Sequence, residues 1–339
     1  VAKNSLLALG ALVGLAVVPL FVSNTYILHM LVMVFLWALL GQSWNLLGGF
    51  TGQVSYGHAA FFGVGAYTSA IMVKSGLSPA AAWWGLLLGG LVAALVGAVL
   101  GWICFRLRGP YFSLSILALS EVLRLIAVNW KQLTNGAEGI LYIPAFNSKA
   151  AYYWIILAVV TVSFLTIRAV MRSKFGFYFL AIREDQDCAE SLGINTTKYK
   201  LYSLLISAFF TGVAGSFYMN YMGFIDPGIV FSLSDISIMM ILVTMLGGAA
   251  TMTGPAVGAV LYVLMSELFR DPPLPMWIPF REAIAHLLKS GHLFFFGILI
   301  IVIIIYFPHG IVGTLHEKWV NRKLRLAGRA AAAAPKGVA

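Results

Sequence analysis

Apolar residues in this chain come in blocks, not in the spaced stripe of a surface helix. The blocks lie at about 6–22, 26–47, 56–73, 80–104, 111–130, 151–170, 200–222, 235–249, 255–269 and 292–307, with short polar stretches between them. Most approach the roughly 20 residues that a helix needs to cross hydrocarbon. Runs of this kind differ from the alternating strands of a membrane barrel. Helices pair every backbone group within their own segment, which lipid demands. The expected fold class is an all-α integral membrane protein, a polytopic helical bundle of about 8–10 transmembrane segments. The third, eighth and ninth blocks are short or interrupted, and they read as broken or re-entrant Gly-rich helices.

Charge assigns the sides. With Val1 inside and the blocks alternating, fifteen Lys and Arg fall inside and six outside, while Arg124 lies within a span. Such an excess marks cytoplasmic loops, so both termini are expected in the cytoplasm. Eight crossings plus two re-entrant hairpins keep the same ends as ten crossings. The first block has Lys3 as its only leading charge and no clear small-residue cleavage pattern, so it reads as a span and not a signal peptide. The chain then divides into a transmembrane domain at 1–312 and a basic cytoplasmic tail at 313–339. The domain carries a cytoplasmic loop at 171–199 and an outer loop at 270–291.

Composition agrees. The 339 residues are 60% hydrophobic and 10% charged, with mean hydropathy +0.91, where a soluble domain carries roughly a quarter charged residues. The net charge of +10 belongs to membrane-flanking loops and not to a nucleic-acid surface; the surroundings are membrane lipid. Cys104 and Cys188 make no disulfide framework. The histidines lack metal-ligand spacing. No nucleophile, metal cluster or cofactor motif supports an enzyme.

The stretch TGQVSYGHAAFFGVGAYTSAIMV at 51–73 stands apart. On a helix, Ser55, Ala59, Gly63, Ala66 and Ala70 would form one small-residue stripe, against which another helix backbone can approach closely. The preceding Gly48–Gln53 invites a break. Broken helices at membrane depth persist where they are buried or line a cavity, and their free backbone groups can hold a polar solute. Gly49, Gly52, Gln53, Ser55 and His58 are therefore candidate translocation-path residues; a hydrogen-bonded core histidine is the other reading of His58. No Lys-Ser or Lys-Thr follows the glycines, so the stretch is not a phosphate-binding loop. A second block, Leu246-Gly-Gly-Ala-Ala-Thr-Met-Thr-Gly-Pro255, adds Gly247 and Gly248 to the candidates.

Glu121 and Arg124 sit three residues apart within a span and can face each other. Each alone at the bilayer centre would cost roughly 2.5–3.5 kcal/mol. The pair is either a polar element of a pathway or an ion pair that orients its helix. A proton- or sodium-driven carrier usually needs more ionisable groups than this, and the chain carries no nucleotide site. Energy for uphill movement would come from another subunit; a self-contained carrier or channel is the rival reading.

Residues 175–194 read as one short amphipathic helix. Ile182, Ala189 and Leu192 would line one side, with Arg183, Glu184, Asp187 and Glu190 on the polar face. Arg183 and Asp187 form an i,i+4 pair, and Gly193 is placed to end the helix. A soluble partner can grip such a helix in a groove.

Four blocks resemble the M-type permeases of branched-chain amino acid ABC importers. They are Asn45–Tyr67; Arg106–Phe112 with Leu117–Arg124; Ala181–Asp185 with Ala189–Ile194; and Phe307–Gly313. Together they extend from about 45 to 313. The resemblance implies a permease of the bacterial inner membrane that works beside a second permease subunit of the H type. Two cytoplasmic ATPase subunits would drive it and an extracytoplasmic substrate-binding protein would feed it. ATP and Mg would be held by the ATPases, with no cofactor on this chain. The resemblance assigns ATPase coupling to Arg183, Glu184, Asp185, Asp187, Glu190 and Gly193. The chain departs from the family at Phe177, where a basic residue is often found, and in a longer outer segment at 270–291. Urea and short-amide importers use similar permeases, which leaves the substrate open.

Overall fold

The computed structural model describes residues 14–22, 24–76, 83–142, 146, 148–270, 297–298, 301, 305–307 and 310–314. The outer segment 271–291 and the tail from 315 onward lie outside the described residues, as does most of the last apolar block. After a helical segment at 14–21, the chain forms α1 (Thr25–Asn45), α2 (His58–Lys74), α3 (Gly85–Cys104) and α4 (Pro110–Asn129). Then come α5 (Lys149–Arg172), α6 (Lys174–Glu184), α7 (Gln186–Ser191) and α8 (Thr196–Met222). The described chain closes its main bundle with α9 (Met239–Gly247) and α10 (Gly254–Arg270). Among the described residues, six helical segments are long and apolar enough to cross a membrane: Thr25–Phe50, Trp84–Cys104, Pro110–Asn129, Lys149–Arg172, Thr196–Met222 and Pro227–Gly247.

Local chemistry sets the boundaries. The side chains of Asn24, Ser148, Ser173, Asp185 and Asn195 each accept a bond from a first-turn amide, the role of an N-cap. Pro110 opens α4, where its missing N–H costs nothing. Gly223, at φ 75°, closes α8, a left-handed position that glycine reaches without a Cβ penalty.

α8 and α1 form the centre, and α2 packs beside them with Ala59, Phe61, Phe62, Ala66 and Ala70 fully buried. A Cβ on Gly65 would lie 2.0 Å from the Gly212 carbonyl oxygen, and one on Gly215 would lie 1.9 Å from that of Phe62. The backbones of α2 and α8 meet here with no room for a side chain. Small residues permit this approach, but it is made at Gly65, outside the expected stripe: Gly63 of that stripe faces the Phe231 ring, and Ser55 lies outside α2, which begins only at His58.

The bundle has two distinct ends. At one, Lys74 donates to the carbonyls of Gln132 and Leu133. There β1 (Ile140–Leu141) also pairs antiparallel with β2 (Phe224–Ile225), Ile140 opposite Ile225 and Leu141 opposite Phe224. The opposite end gathers the two glycine breaks, the turn at 105–109 and the α6–α7 loop.

Candidate functional site

The first break is built from α1 outward. α1 widens into a π turn at Leu46–Phe50, and residues 51–57 are non-helical before α2 starts. Gly52 takes φ 72°. Side chains of the break itself, of α1 and of remote helices satisfy the backbone that this break frees. Thr51 and Ser203 hydroxyls both donate to the Leu46 carbonyl, at 2.9 and 3.1 Å. Trp44 Nε1 donates to Ser55 O at 2.9 Å, and Ser113 Oγ to Val54 O at 2.6 Å. The amide of Ala59 donates to Ser237 Oγ at 2.9 Å. Buried backbone groups need such partners. Gly52 and Gln53 form the more open edge of the segment.

His58 is fully buried and bonded on both ring nitrogens, to Ser55 Oγ at 3.0 Å and Ser207 Oγ at 2.8 Å. Ser207 in turn donates to Ser43 O at 2.6 Å. This chain of bonds ties α1, the break, α2 and α8 together.

The second break follows α9. Gly248 has φ 123° and Ala250 φ 58°, and a Cβ on Gly247 would lie 1.7 Å from Gly254 O. The two breaks, some two hundred residues apart in sequence, touch. Asn45, at 1% exposure, accepts from the Ala250 amide at 2.8 Å and donates to the Thr251 carbonyl at 2.9 Å. A Cβ on Gly49 would lie 2.0 Å from Asn45 Oδ1 and 2.6 Å from the Ala250 nitrogen, so a glycine there lets the breaks meet. Gly310, in the Phe307–Gly313 motif, lies against the Gly248 backbone.

The charged loop contains two helices, not the single one expected from its amphipathic pattern. Asp185 leaves the helical conformation at φ −156° and caps α7 by accepting from the Cys188 amide at 2.9 Å. The break resets the helical phase. Ile182 and Ala189 are buried, but Leu192 is 81% exposed, so the three do not line one side as expected. Arg183 also does not pair with Asp187. It contacts Glu184 at 3.6 Å and donates to Gly49 O at 3.5 Å.

Asp187 instead pairs with Arg108 at 2.6 Å, and Arg108 reaches Glu190 at 3.0 Å. Glu190 accepts from Gln186 and Thr196, and Gln186 accepts from Lys200. These hydrogen bonds, with the Arg108 charge, hold the Glu190 carboxyl below its ordinary range. Asp187 and Glu190 hold the Arg108 guanidinium further charged. Asp185 and then Asp187 raise the exposed Cys188 thiol. Gly193 closes the loop at φ 83°, its amide on Glu190 O at 2.9 Å. In the sequence Arg108 stands within the Arg106–Phe112 motif, with nothing in its spacing to tie it to Asp187 and Glu190. Its signal was a lone pair of arginines in a five-residue turn between two apolar spans.

Glu121 and Arg124 do pair, at 2.5 Å, but on the outside of the chain, with side chains 50% and 31% exposed. Nothing in the described structure brings them to the glycine breaks.

A bundle of long apolar helices, broken at glycines and carrying a strutted polar loop at one end, is a multi-pass membrane transport protein in class. The chain matches the family described as branched-chain amino acid transport system / permease component over residues 26–305, and it belongs to that family. It is 30% identical over 300 residues to the high-affinity branched-chain amino acid transport system permease protein LivM of Salmonella typhimurium (strain LT2), covering 79% of this chain and 69% of that one. The protein of the same name from Escherichia coli (strain K12) is 29% identical over 296 residues, covering 78% and 68%. The permease protein LivH of Escherichia coli (strain K12) is 25% identical over 255 residues, covering 68% and 81%.

Proposed function

We propose that this chain is one of two permease subunits in an ATP-driven importer of branched-chain amino acids. It works with an H-type partner, two cytoplasmic ATPase subunits that hold ATP and Mg, and an extracytoplasmic binding protein. The observation that supports this most is the family match from residue 26 to 305, joined to likeness with both permease types of such a system.

The geometry fits the reading. The end that carries α6 and α7 also carries Arg106, Arg108, Arg168, Arg172, Lys174, Arg183, Lys198 and Lys200. This is the cytoplasmic end by the excess of positive charge, and the membrane is the bacterial inner membrane. The loop presents exposed Phe177, Leu180, Glu184 and Leu192, while Asp185, Asp187 and Glu190 serve its own architecture. ATPase docking falls to the apolar residues and Glu184, and the acidic residues hold the loop in shape.

The Glu121–Arg124 pair lies near the middle of α4 on a face that would otherwise meet lipid. Charges there are expensive unless protein or water covers them. The partner permease covers this face, and the solute path runs along it, with the glycine breaks acting near its cytoplasmic mouth. ATP binding on the partner chains moves the loop, and the bundle opens alternately to each side. The experiment is co-expression with the ATPases and partner permease, followed by uptake into proteoliposomes supplied with the binding protein. Leucine, isoleucine and valine should accumulate. Urea accumulation without them would overturn the substrate, and failure of the ATPases to co-purify would overturn the machine.

A further inference from the structure

α6 is anchored on the first glycine break itself. Phe179 is fully buried and packs with Leu46 and Phe50 of the π turn and with Ile167 of α5. One turn later, Arg183 lies against Gly52; a Cβ there would meet Arg183 Cγ at 3.1 Å and Cα at 3.2 Å. Its guanidinium reaches the Gly49 carbonyl. From Gly49 the contact continues through Asn45, whose amide bonds both the N–H of Ala250 and the C=O of Thr251. A side-chain amide that pairs with a donor and an acceptor on one strand of backbone holds it in register as well as in place. Packed elements joined this way move together instead of deforming.

We propose that Phe179, Arg183 and Asn45 make α6, the 46–57 break and the 248–253 turn one joint, which delivers a movement of α6 to both glycine breaks at once. The three are positioning residues, and the proposal rests on the reading of the chain as an ATP-driven permease. Phe179 carries the apolar load, Arg183 fixes the rotation of α6 about it, and Asn45 passes the displacement to the second break. The two breaks belong to different parts of the bundle: the first continues α1 into α2, and the second continues α9 into α10. A single input therefore reorients four helix ends. Gly310 rests on Gly248, which extends the joint to the Phe307–Gly313 motif.

The test uses the full complex in proteoliposomes. A reporter, Thr253→Cys, is placed at the exposed edge of the second break in a chain also carrying Cys188→Ser. Labelling of the reporter by a water-soluble maleimide is measured without nucleotide and with ATP trapped. Leucine uptake per ATP hydrolysed is measured beside it. In the reporter complex the labelling rate should change with nucleotide. Arg183→Ala and Asn45→Ala should abolish that change and lower uptake per ATP by about tenfold, within the usual range of a coupling between sites, while ATP hydrolysis continues. Arg183→Ala is the decisive variant, because its partly exposed side chain can be removed without opening the core. A merely structural role would lower assembly, hydrolysis and uptake together and leave uptake per ATP unchanged. That result, or nucleotide-dependent labelling that survives both substitutions, overturns the joint. A reporter blind to nucleotide before either substitution also overturns it. Absence of ATP-driven leucine uptake in the reference complex removes the permease reading, and the joint falls with it.

Discussion

Gly65 and Gly97 are both buried helical glycines, yet alanine should destabilise the protein at the first and be nearly neutral at the second. In a helix interior this substitution gains up to about 1 kcal/mol of backbone propensity. At Gly97 the new Cβ would meet the Ala208 methyl at 3.0 Å and Phe61 at 3.5 Å. These are side chains that can give a few tenths of an ångström, so the gain and the crowding nearly cancel. At Gly65 the new Cβ would lie 2.0 Å from Gly212 O and 2.6 Å from both Gly212 Cα and C, short of the 3.4 Å where ordinary contact begins. Every one of those atoms is backbone, so α2 and α8 must separate by more than 1 Å along a shared face. Overpacking of this kind costs about 1–3 kcal/mol or more, well beyond the propensity gain. Thermal denaturation of the detergent-purified complex, followed by size exclusion, should leave Gly97→Ala at the parent midpoint and lower that of Gly65→Ala by several degrees. Equal midpoints for the two would refute the close backbone contact on which the bundle's centre is argued.

His58→Ala removes bonds to Ser55 and Ser207 and opens a cavity; a loss of about 2–4 kcal/mol is expected, read by the same denaturation assay, and a silent substitution would contradict a histidine that ties three helices. Arg108→Ala releases Asp187 and Glu190 from the 105–109 turn, so the peptide bonds of α7 should be cut faster in limited proteolysis, without loss of membrane insertion, and an unchanged cleavage rate would contradict the strut. The fixation of α7 should resist mild acid. Glu190 is lowered in the folded chain, so its contribution is present above the ordinary carboxylate value and is lost only as pH falls through the lower folded value; hydrogen exchange at Gly193 should stay protected from neutral pH down to the ordinary carboxylate range, and earlier loss would contradict it. Glu121→Gln leaves Arg124 within the span without its ion-pair partner; it should reduce uptake and destabilise the complex by up to roughly 2.5–3.5 kcal/mol, and an unchanged denaturation midpoint would contradict the placing of the pair in the membrane.

Much of the architecture was legible because it is written in residue types. Apolar blocks marked the helices, Gly193 marked the end of the charged loop, and glycines at 48, 49 and 52 marked the first break. What could not be read was which remote side chains would close that break. Ser203, Ser113 and Ser237 are single hydroxyls in three different helices, and only the packing of those helices brings them to Leu46, Val54 and Ala59. Asn45 was visible as a polar residue at the end of an apolar run, but its partners at 250 and 251 depend on two breaks meeting at one end of the bundle. The loop misled for a local reason. Its apolar positions keep helical spacing across Asp185, although Asp185 interrupts the helix and caps the next one, which turns Leu192 outward. The Glu121–Arg124 pair was evident from its spacing; its place on the outside of α4 was not, because spacing within one helix says nothing about which face its neighbours cover.

In the proposed importer this chain conducts and separate subunits supply the power. The direct measurement is accumulation of labelled leucine in proteoliposomes containing this chain with its partner permease and ATPases, the binding protein outside. Uptake should require ATP on the ATPase side, vanish when ATP hydrolysis is blocked, and ignore collapse of proton and sodium gradients. Accumulation by this chain alone, driven by an ion gradient with no ATPase present, would contradict the account.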